Sequence, residues 1–563
     1  MKKTIWELAP RKYDDLIDQL LFNRGILDVG ALDKKFKFFE PNFSQDLHSP
    51  FLMKNLEKAV KRLALLKERR ETVGIFADYD ADGIPGAALL YRAFKAIGIK
   101  SYVYIPNREG GYGLSEEGID YLRSRGCSLI VTVDLGIRSL SEAKYCKKVG
   151  IDLIITDHHL PGEELPEVEI LVNPKQKGDK YPYKELCGCG VAYKLVQGLS
   201  KTFPDLLTEA FLKWNLDLVA ISTISDVVPL SGENRVLAKY GLIVLGKTKN
   251  VGLAALIKTS GITDAKITAY HVGFQIGPRI NAPGRIDHAT KSFELLVTED
   301  PKEAKALAMW LNEKNEERQA MMEEVLKEAI AKIEKEELFK NRIIICVGKW
   351  QKGVIGPSAS KLVEKYNRPV ILFAEDKDTY TGSARSLSGI NIVELFEANK
   401  DEIAKFGGHK QAAGITVSCD KFASFCEKII KTANETISDE SLLRRLRIDA
   451  EVSLNQLTKG LYEKILQFEP FGMENPKPVF SASDVSLDQT KFVGANSNHF
   501  SAIVGDSPHR LKMIQFNFPY DKALIDSKLK YDLAFSLSLD EWQGEQHLSL
   551  KVQDIRLQKE KEY

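Results

Sequence analysis

A chain of 563 residues is too long for one hydrophobic core, so three or four domains are expected. Its make-up, 44% hydrophobic and 28% charged, is that of a globular protein and excludes fibrous and disordered classes. Lys and Arg number 79 against 78 Asp and Glu, a formal charge of +1, so no global basic field announces a polyanion and any nucleic-acid site must be local.

The amino terminus, Met1 to Pro10, carries two lysines but runs into Trp6-Glu7 with no apolar h-region, which argues against a secretory signal. From Glu71 to about Asp157, short β-branched runs alternate with amphipathic segments. Thr72–Ala77, Tyr102–Ile105, Leu129–Val133 and Asp152–Thr156 read as strands. Gly86–Ile97 and Ser139–Val149 read as helices closed by Gly98 and Gly150. This pattern predicts a doubly wound parallel α/β sheet. Cys187-Gly188-Cys189 is a weak zinc signal, because structural zinc wants four ligands and no second pair is near. Seven cysteines, an odd number thinly spread, fit a reducing compartment. The apolar run 216–230 is broken by Asp217 and Asp226 and falls short of a bilayer span, so a cytoplasmic protein without a membrane segment is expected.

Residues 300–340, rich in Glu, Lys, Ala and Leu with apolar positions at helical steps, predict one or two long connecting helices. Ile343–Val347 and Val370–Phe373 restart the strand and helix alternation, giving a second α/β domain. The tail changes character. Val479–Leu487, His499–Val504, Arg510–Phe516, Leu533–Leu539 and Leu548–Ile555 alternate between turn residues and predict a small antiparallel barrel, with an OB-fold as first candidate and another small barrel or a sandwich as the alternative. The expected boundaries are an amino-terminal extension packing on the core (1–70), a first α/β domain (71–299), a connecting helix (300–340), a second α/β domain (341–445) and the barrel (446–563).

The chemistry gathers at strand ends. Asp78-Tyr79-Asp80-Ala81-Asp82-Gly83 follows the first strand directly, and alternation in an extended loop would aim its three carboxylates to one side. Ligands collect at the carboxyl ends of strands in such sheets, and converging carboxylates need cations to neutralise them. A calcium loop of EF-hand type lacks its downstream Glu here. Asp134 closes the third strand and Asp157-His158-His159 the fourth. A lone Asp after a strand is usually a helix cap, but imidazole beside carboxylate is a mixed ligand set suited to Mn²⁺ or similar metals. Asp226, in Ser225-Asp226-Val227-Val228-Pro229-Leu230, is a further acid that would be unremarkable alone.

The order D-x-D-x-D-G, V-D-x-G, D-H-H and D-V-V-P-L resembles the four motifs of the DHH phosphoesterase superfamily. Gly407-Gly408-His409-Lys410-Gln411-Ala412-Ala413-Gly414 resembles the signature of the accompanying DHHA1 domain. The length, the helical connector, Gly111-Tyr112-Gly113-Leu114 and the β-rich tail are similar to the single-strand-specific exonucleases within that superfamily. Two departures are small: Ile84-Pro85-Gly86 stands where the family often has Thr-Ser, and Leu135 where a Cys often follows. Pro is tolerated in a first helical turn.

The resemblance implies two divalent ions, Mn²⁺ favoured and Mg²⁺ possible. Asp78, Asp80 and Asp134 would hold one, and Asp82, Asp134, His158 and Asp226 the other. Asp134 would bridge them, Asp157 would orient His158 or support the ligands from behind, and His159 would donate to the scissile phosphate. Arg108, Arg279, Asn281, Arg285, Ser383, Arg385, Gly407, Gly408 and His409 are the expected substrate-binding residues, since arginine's planar fork suits phosphate. The implied activity is release of 5′-mononucleotides from the 5′ end of single-stranded DNA in repair and recombination. The expected protein is a monomer, with a helicase and a single-strand-binding protein as further candidate partners. The rival reading is a phosphodiesterase of short oligonucleotides or other small phosphorylated substrates. Phe492, Phe500, Phe516 and Trp542 are candidates for base stacking, with burial in the core as the default for each.

Overall fold

The computed structural model describes residues 4–27, 32–107, 113–263, 266–506, 509–526, 528–542 and 545–558. The chain folds as two compact units, one formed by Phe43–Leu442 and the other by Met1–Asn42 together with Leu443–Tyr563.

The larger unit contains a five-stranded parallel sheet in the order Ser101–Tyr104, Thr72–Ala77, Cys127–Val133, Asp152–Thr156, Ile170–Val172. Alternation sends Val73, Ile75, Val131, Val133 and Ile154 into one core and Phe76, Ile130 and Ile155 into the other. Helices Leu56–Arg69, Gly83–Ile97 and Gly188–Thr202 cover the first face, and Glu116–Ser124 with Leu140–Val149 the second. Both faces are therefore buried, which is why these strands read as continuous apolar runs. Gly98 and Gly150 end their helices in the left-handed region, as their positions predicted. Thr72–Ala77 lies between the strands that follow it in sequence, so the order reverses beside it and a crevice opens at the carboxyl ends of Thr72–Ala77 and Cys127–Val133.

A single helix, Pro301–Lys335, makes the connection. Asp300 caps it by accepting from the Lys302 amide, with Pro301 in the first turn. Its first half puts Leu307, Ala308 and Leu311 into the core of the parallel sheet. Its second half puts Met322, Val325, Ala329 and Ile333 against Lys352–Tyr366. The second sheet runs Lys405–His409, Ala412–Ser418, Thr379–Arg385, Val370–Glu375, Ile344–Gly348, and only its last pair is parallel.

In the smaller unit, Phe480–Val493, His499–Val504, Leu511–Gln515, Glu545–Leu557 and Lys530–Trp542 form a five-stranded barrel. The long first strand closes it by pairing with His499–Val504 over one half and with Lys530–Trp542 over the other. The antiparallel expectation needs one correction, because Leu511–Gln515 and Glu545–Leu557 run parallel. Phe500 is fully buried in this core and Phe492 packs against it, whereas Phe516 is 53% exposed. The amino-terminal extension is not one piece. Ile5–Leu8 pairs in parallel with Arg445–Ile448, and Leu20, Leu21 and Phe38 join the barrel core around Phe468 and Phe480. Met53, Leu56, Val60 and Leu63 instead pack on the parallel sheet.

Candidate metal centre and active site

The loop after Thr72–Ala77 is a tight turn and not the extended segment that alternation required. Asp80 Oδ1 accepts from the amides of Asp82 (2.8 Å) and Gly83 (3.1 Å), which folds the acids around it just before the following helix. Gly83 is obligatory, since a Cβ there would lie 2.4 Å from the Asp78 carbonyl oxygen. The three carboxylates consequently part company. Asp78 and Asp80 cluster with Asp134, while Asp82 clusters with His158 and Asp226.

Asp82 is held by a helix amino terminus. Its Oδ2 accepts from the Gly188 amide at 2.6 Å and its Oδ1 from the Cys189 amide at 2.8 Å. Each oxygen keeps a lone pair for a cation. The sequence does not disclose these amides, because Cys187-Gly188-Cys189 reads there only as a weak zinc motif. The signal lay in the glycines that open the helix Gly188–Thr202. A Cβ on Gly188 would sit 2.4 Å from Asp134 Cβ, so this helix can approach only through glycine.

Asp134 takes the left-handed backbone conformation (φ 65°), which Asp tolerates better than most residues, and its amide donates to the Thr156 carbonyl. Asp226 ends the helix Leu216–Ser225 and is followed by Val227 at φ 57°, a conformation a β-branched residue adopts only under constraint. His158 Nε2 faces Asp134 Oδ1 at 3.1 Å, Asp226 Oδ2 at 3.6 Å and Asp82 Oδ2 at 3.7 Å.

Of the two expectations for Asp157, the one that it orients the His158 ring requires a correction. Its Oδ1 accepts from the amides of His158 and His159 and lies 2.8 Å from His159 Nδ1, while its Oδ2 accepts from the Ile137 amide. It therefore orients His159 and not the His158 ring. The turn swings Nδ1 of the second histidine back onto the carboxylate and leaves the first ring aimed at the acids. Burial opposes ionisation of both partners, yet their hydrogen bond and mutual attraction outweigh it. Asp157 lies below the usual carboxylate range and His159 above the usual imidazole range.

The donor set fits divalent cations. Burial, followed by repulsion from neighbouring carboxylates, pushes Asp134 and Asp226 well above the ordinary range and Asp82 up to about 6. Burial, helped by the His159 charge, pushes His158 down to about 3, so its ring is neutral. Neither ring nitrogen makes a hydrogen bond among the described residues. A neutral imidazole nitrogen among two buried carboxylates and a half-buried one is an arrangement that positive charge stabilises. Asp134 contributes to the Asp78–Asp80 group and also to one with His158 and His159, as a bridging ligand would.

The expected substrate residues divide. Arg108 lies outside the described residues, as do Gly111 and Tyr112. Asn281 uses its Oδ1 to accept from the Ala81 amide at 2.7 Å, so it holds the acid loop. Arg279 donates to Asn312 on the connecting helix and to the Gln275 carbonyl. Glycine contacts link the two sheets. Gly284 rests on the Tyr79 carbonyl, Gly353 on the Arg285 carbonyl, and Gly356 against Ser383 and Arg385, whose guanidinium donates to Ser383 Oγ at 3.0 Å. Gly407, Gly408 and His409 lie on the edge strand Lys405–His409. Gly408 takes φ 145°, and a Cβ there would lie 2.4 Å from the Ala412 carbonyl oxygen. Burial depresses His409, and the charges of His159, Arg138 and Lys175 add to this.

Comparison with known proteins agrees with this layout. Residues 72–223 match the model of the DHH family, N-terminal domain, residues 340–438 that of the DHHA1 domain, and residues 448–554 that of the RecJ OB domain. The single-stranded-DNA-specific exonuclease RecJ of Bacillus subtilis is 36% identical over 542 residues, covering 96% of this chain and 67% of that protein. The Escherichia coli protein of the same name is 32% identical, covering 97% and 96%. The crystal structure of Thermus thermophilus RecJ in complex with Mn²⁺ superposes with a TM-score of 0.83 at 26% identity, over 99% of this chain and 80% of that one, and its Mg²⁺ complex with a TM-score of 0.76 at 25% identity, over 99% and 79%.

Proposed function

The chain belongs to the RecJ family of DHH phosphoesterases, and from that premise we propose that it is a metal-dependent exonuclease that removes mononucleotides from the 5′ end of single-stranded DNA. The observation that carries the reading is the position of Asp134, shared between groups of ligand atoms at the switch point of the sheet.

Asp78, Asp80 and Asp134 would hold one divalent cation and Asp82, Asp134, His158 and Asp226 the other, with Mn²⁺ preferred over Mg²⁺. When bound, such a pair supplies an ionised water at neutral pH and neutralises phosphate charge. His159, oriented by Asp157, whose charge favours the protonated ring, would donate to the phosphate. Arg385, braced by Ser383 and Gly356, and His409, on its glycine-flanked edge strand, grip the strand from the second sheet. Arg108, Arg279 and Arg285 are assigned to the same task, and Asn281 to holding the loop that carries Asp80 and Asp82.

The reading extends to setting. The enzyme works as a cytoplasmic monomer in DNA repair and recombination, on strands opened by a helicase and coated by a single-strand-binding protein. All seven cysteines are free thiols, which suits a reducing compartment. No helix among the described residues is long and apolar enough to cross a membrane. The barrel favours long strands over short oligonucleotides as substrate, since OB-folds grip single strands through basic grooves and aromatic platforms.

The test is digestion of matched single-stranded and duplex oligonucleotides, labelled at either end, with Mn²⁺ and with His158→Ala as control. Mononucleotides released from the 5′ end of the single strand alone, and lost in the variant, are expected. Survival of long strands while dinucleotides are cut would move the substrate to the small-molecule class.

A further inference from the structure

We propose that Tyr270 and Phe274 form a base-stacking platform for the single strand, beside the acid cluster on the helix that runs along it. The inference rests on the exonuclease reading above and adds residues that the motifs do not contain.

The helix that carries the two rings is fitted to the acids at its other end. Ala269–His271, Val272–Ile276, Gly277–Asn281 and Pro283–Ile286 follow one another, and Ala282 between the last two is also helical at φ −60° and ψ −45°. Near the carboxyl end, Gly284 rests on the Tyr79 carbonyl and Asn281 accepts from the Ala81 amide, both in the acid loop. One turn earlier Gly277 meets the neighbour of Asp226, since a Cβ there would lie 2.5 Å from Ser225 Oγ. Phe274 and Tyr270 occupy the next two turns. Steps of four and seven residues keep them on the side that Asn281 presents to the acid loop. The π turn Val272–Ile276 falls within this stretch and moves the alignment by no more than one position. At 1.5 Å per residue the rings stand about 10 and 16 Å along the axis from Asn281. That is roughly three to five nucleotides at the 3.4 Å spacing of a stacked strand.

The inner side of this helix is fully used and the two rings are not. His271 is buried, with Nδ1 accepting from the Thr268 amide at 3.1 Å, and Val272, Ile276 and Ile280 lie in the core of the parallel sheet. Tyr270 and Phe274 are 61% and 69% exposed, and Phe274 is the most exposed large apolar side chain among the described residues. Their ring centroids are 4.9 Å apart and their planes inclined at 30°, a stacked pair. Aromatic residues four apart steady a helix slightly, which is the plainer account. This helix is already fastened by three core residues and a cap, so that account leaves the exposure unexplained.

The occupant follows from where the helix leads. Its carboxyl end touches the acid loop and the turn that bears Asp226, so a strand with one phosphate on the acids that continues along the helix meets the rings next. Every nucleobase offers a flat π face to an aromatic side chain, whatever the sequence. A duplex keeps those faces in its own stack, so a platform here favours single strands. A protein partner could cover the same rings, but nothing would then tie their position to the acids.

Strand binding in EDTA, with 2-aminopurine placed at successive positions of an oligothymidylate, tests the platform. Stacking quenches this base, so quenching should peak within about the first five nucleotides from the 5′ end and be lost when Tyr270→Ala and Phe274→Ala are combined. Affinity should fall by about 5- to 100-fold per ring removed, the range for one stacked base. The log–log salt slope should not change, because no phosphate contact is lost. Tyr270→Phe and Phe274→Tyr should bind as the wild type does. Abasic residues at the quenched positions should abolish the difference between wild type and double variant. Unchanged affinity in the double alanine variant overturns the proposal and leaves the rings to a protein partner. So does an equal loss on intact and abasic strands, which would place the effect in the fold. Failure of the underlying reading shows separately, as a wild-type protein that binds no oligothymidylate or leaves it uncut with Mn²⁺.

Discussion

At Gly188 a single methyl group would occupy the space of Asp134, 2.4 Å from its Cβ. Gly188→Ala is therefore expected to displace Asp134 or retract the amide that holds Asp82, lowering Mn²⁺ affinity and kcat by about 10- to 100-fold, as loss of a ligand-orienting contact does. Calorimetric titration with Mn²⁺ checks the first and strand digestion the second, and an unchanged affinity would show that the helix can shift to make room. Asp157→Asn makes a different prediction. The amide keeps acceptor capacity on one oxygen only, so the His159 ring loses its orientation while His158 and the acids stay in place. Activity should fall by about 100-fold or more with Mn²⁺ affinity retained, the range for a lost donor to a transition-state oxygen. The acids and histidines were legible in the sequence because carboxylates and imidazoles at strand ends carry their chemistry in the side chain. The partners of Asp82 were not, because the donors are backbone amides that any residue supplies. The Asp157 assignment missed by one residue for a related reason: adjacency in sequence does not say which of two rings a turn folds back.

The elements that position the site divide by whether their determinants are local. Gly98 and Gly150 announced the ends of two helices, because caps are decided within one turn, and Asp300 and Pro301, which open the connecting helix, are a local signal of the same kind. The acid loop was misread because the side-to-side alternation of a strand stops where an Asp side chain replaces ladder hydrogen bonds with its own. Least legible was the buried charge behind the Asp226 turn. Lys194 on the helix Gly188–Thr202 pairs at 2.7 Å with Glu233 on the helix Gly232–Leu245, both side chains at most 1% exposed. Glu233 also accepts from Tyr181 Oη and the His48 amide, tying the segment before the first strand to the helices that present Gly188 and follow Asp226. Burial lowers the Lys194 pKa, but its attraction to Glu233 opposes this. Lys194→Met should destabilise this unit by about 3–5 kcal/mol by stranding the Glu233 charge, and Lys194→Met with Glu233→Leu should recover much of it. Urea unfolding of the single and double variants checks this, and a double variant no more stable than the single would refute it.

For the whole molecule, the division of the amino-terminal extension changes how the chain can be cut. The expectation of one extension packed on the catalytic core came from position in the sequence, but the partners of Leu20, Leu21 and Phe38 are barrel residues such as Phe468 and Phe480, more than four hundred positions away. No local pattern encodes a contact of that separation. The first segment and the barrel share one core, so removing residues 443–563 while keeping 1–42 should expose fully buried leucines and give an aggregating protein. Removing both leaves Phe43–Leu442, which holds the acid cluster, both α/β sheets, the connecting helix and their cores. That fragment should be monodisperse, bind Mn²⁺ as the full chain does and hydrolyse short single strands. Its KM for long strands should rise at least about tenfold, the equivalent of one lost base contact. Size-exclusion chromatography of the two truncations, followed by digestion of short and long oligothymidylates, tests both halves of the argument. If the shorter fragment aggregates and the longer one does not, residues 4–42 stabilise the catalytic unit after all. If KM for long strands is unchanged, the barrel does not hold the substrate, and selection for single strands rests entirely with the α/β unit.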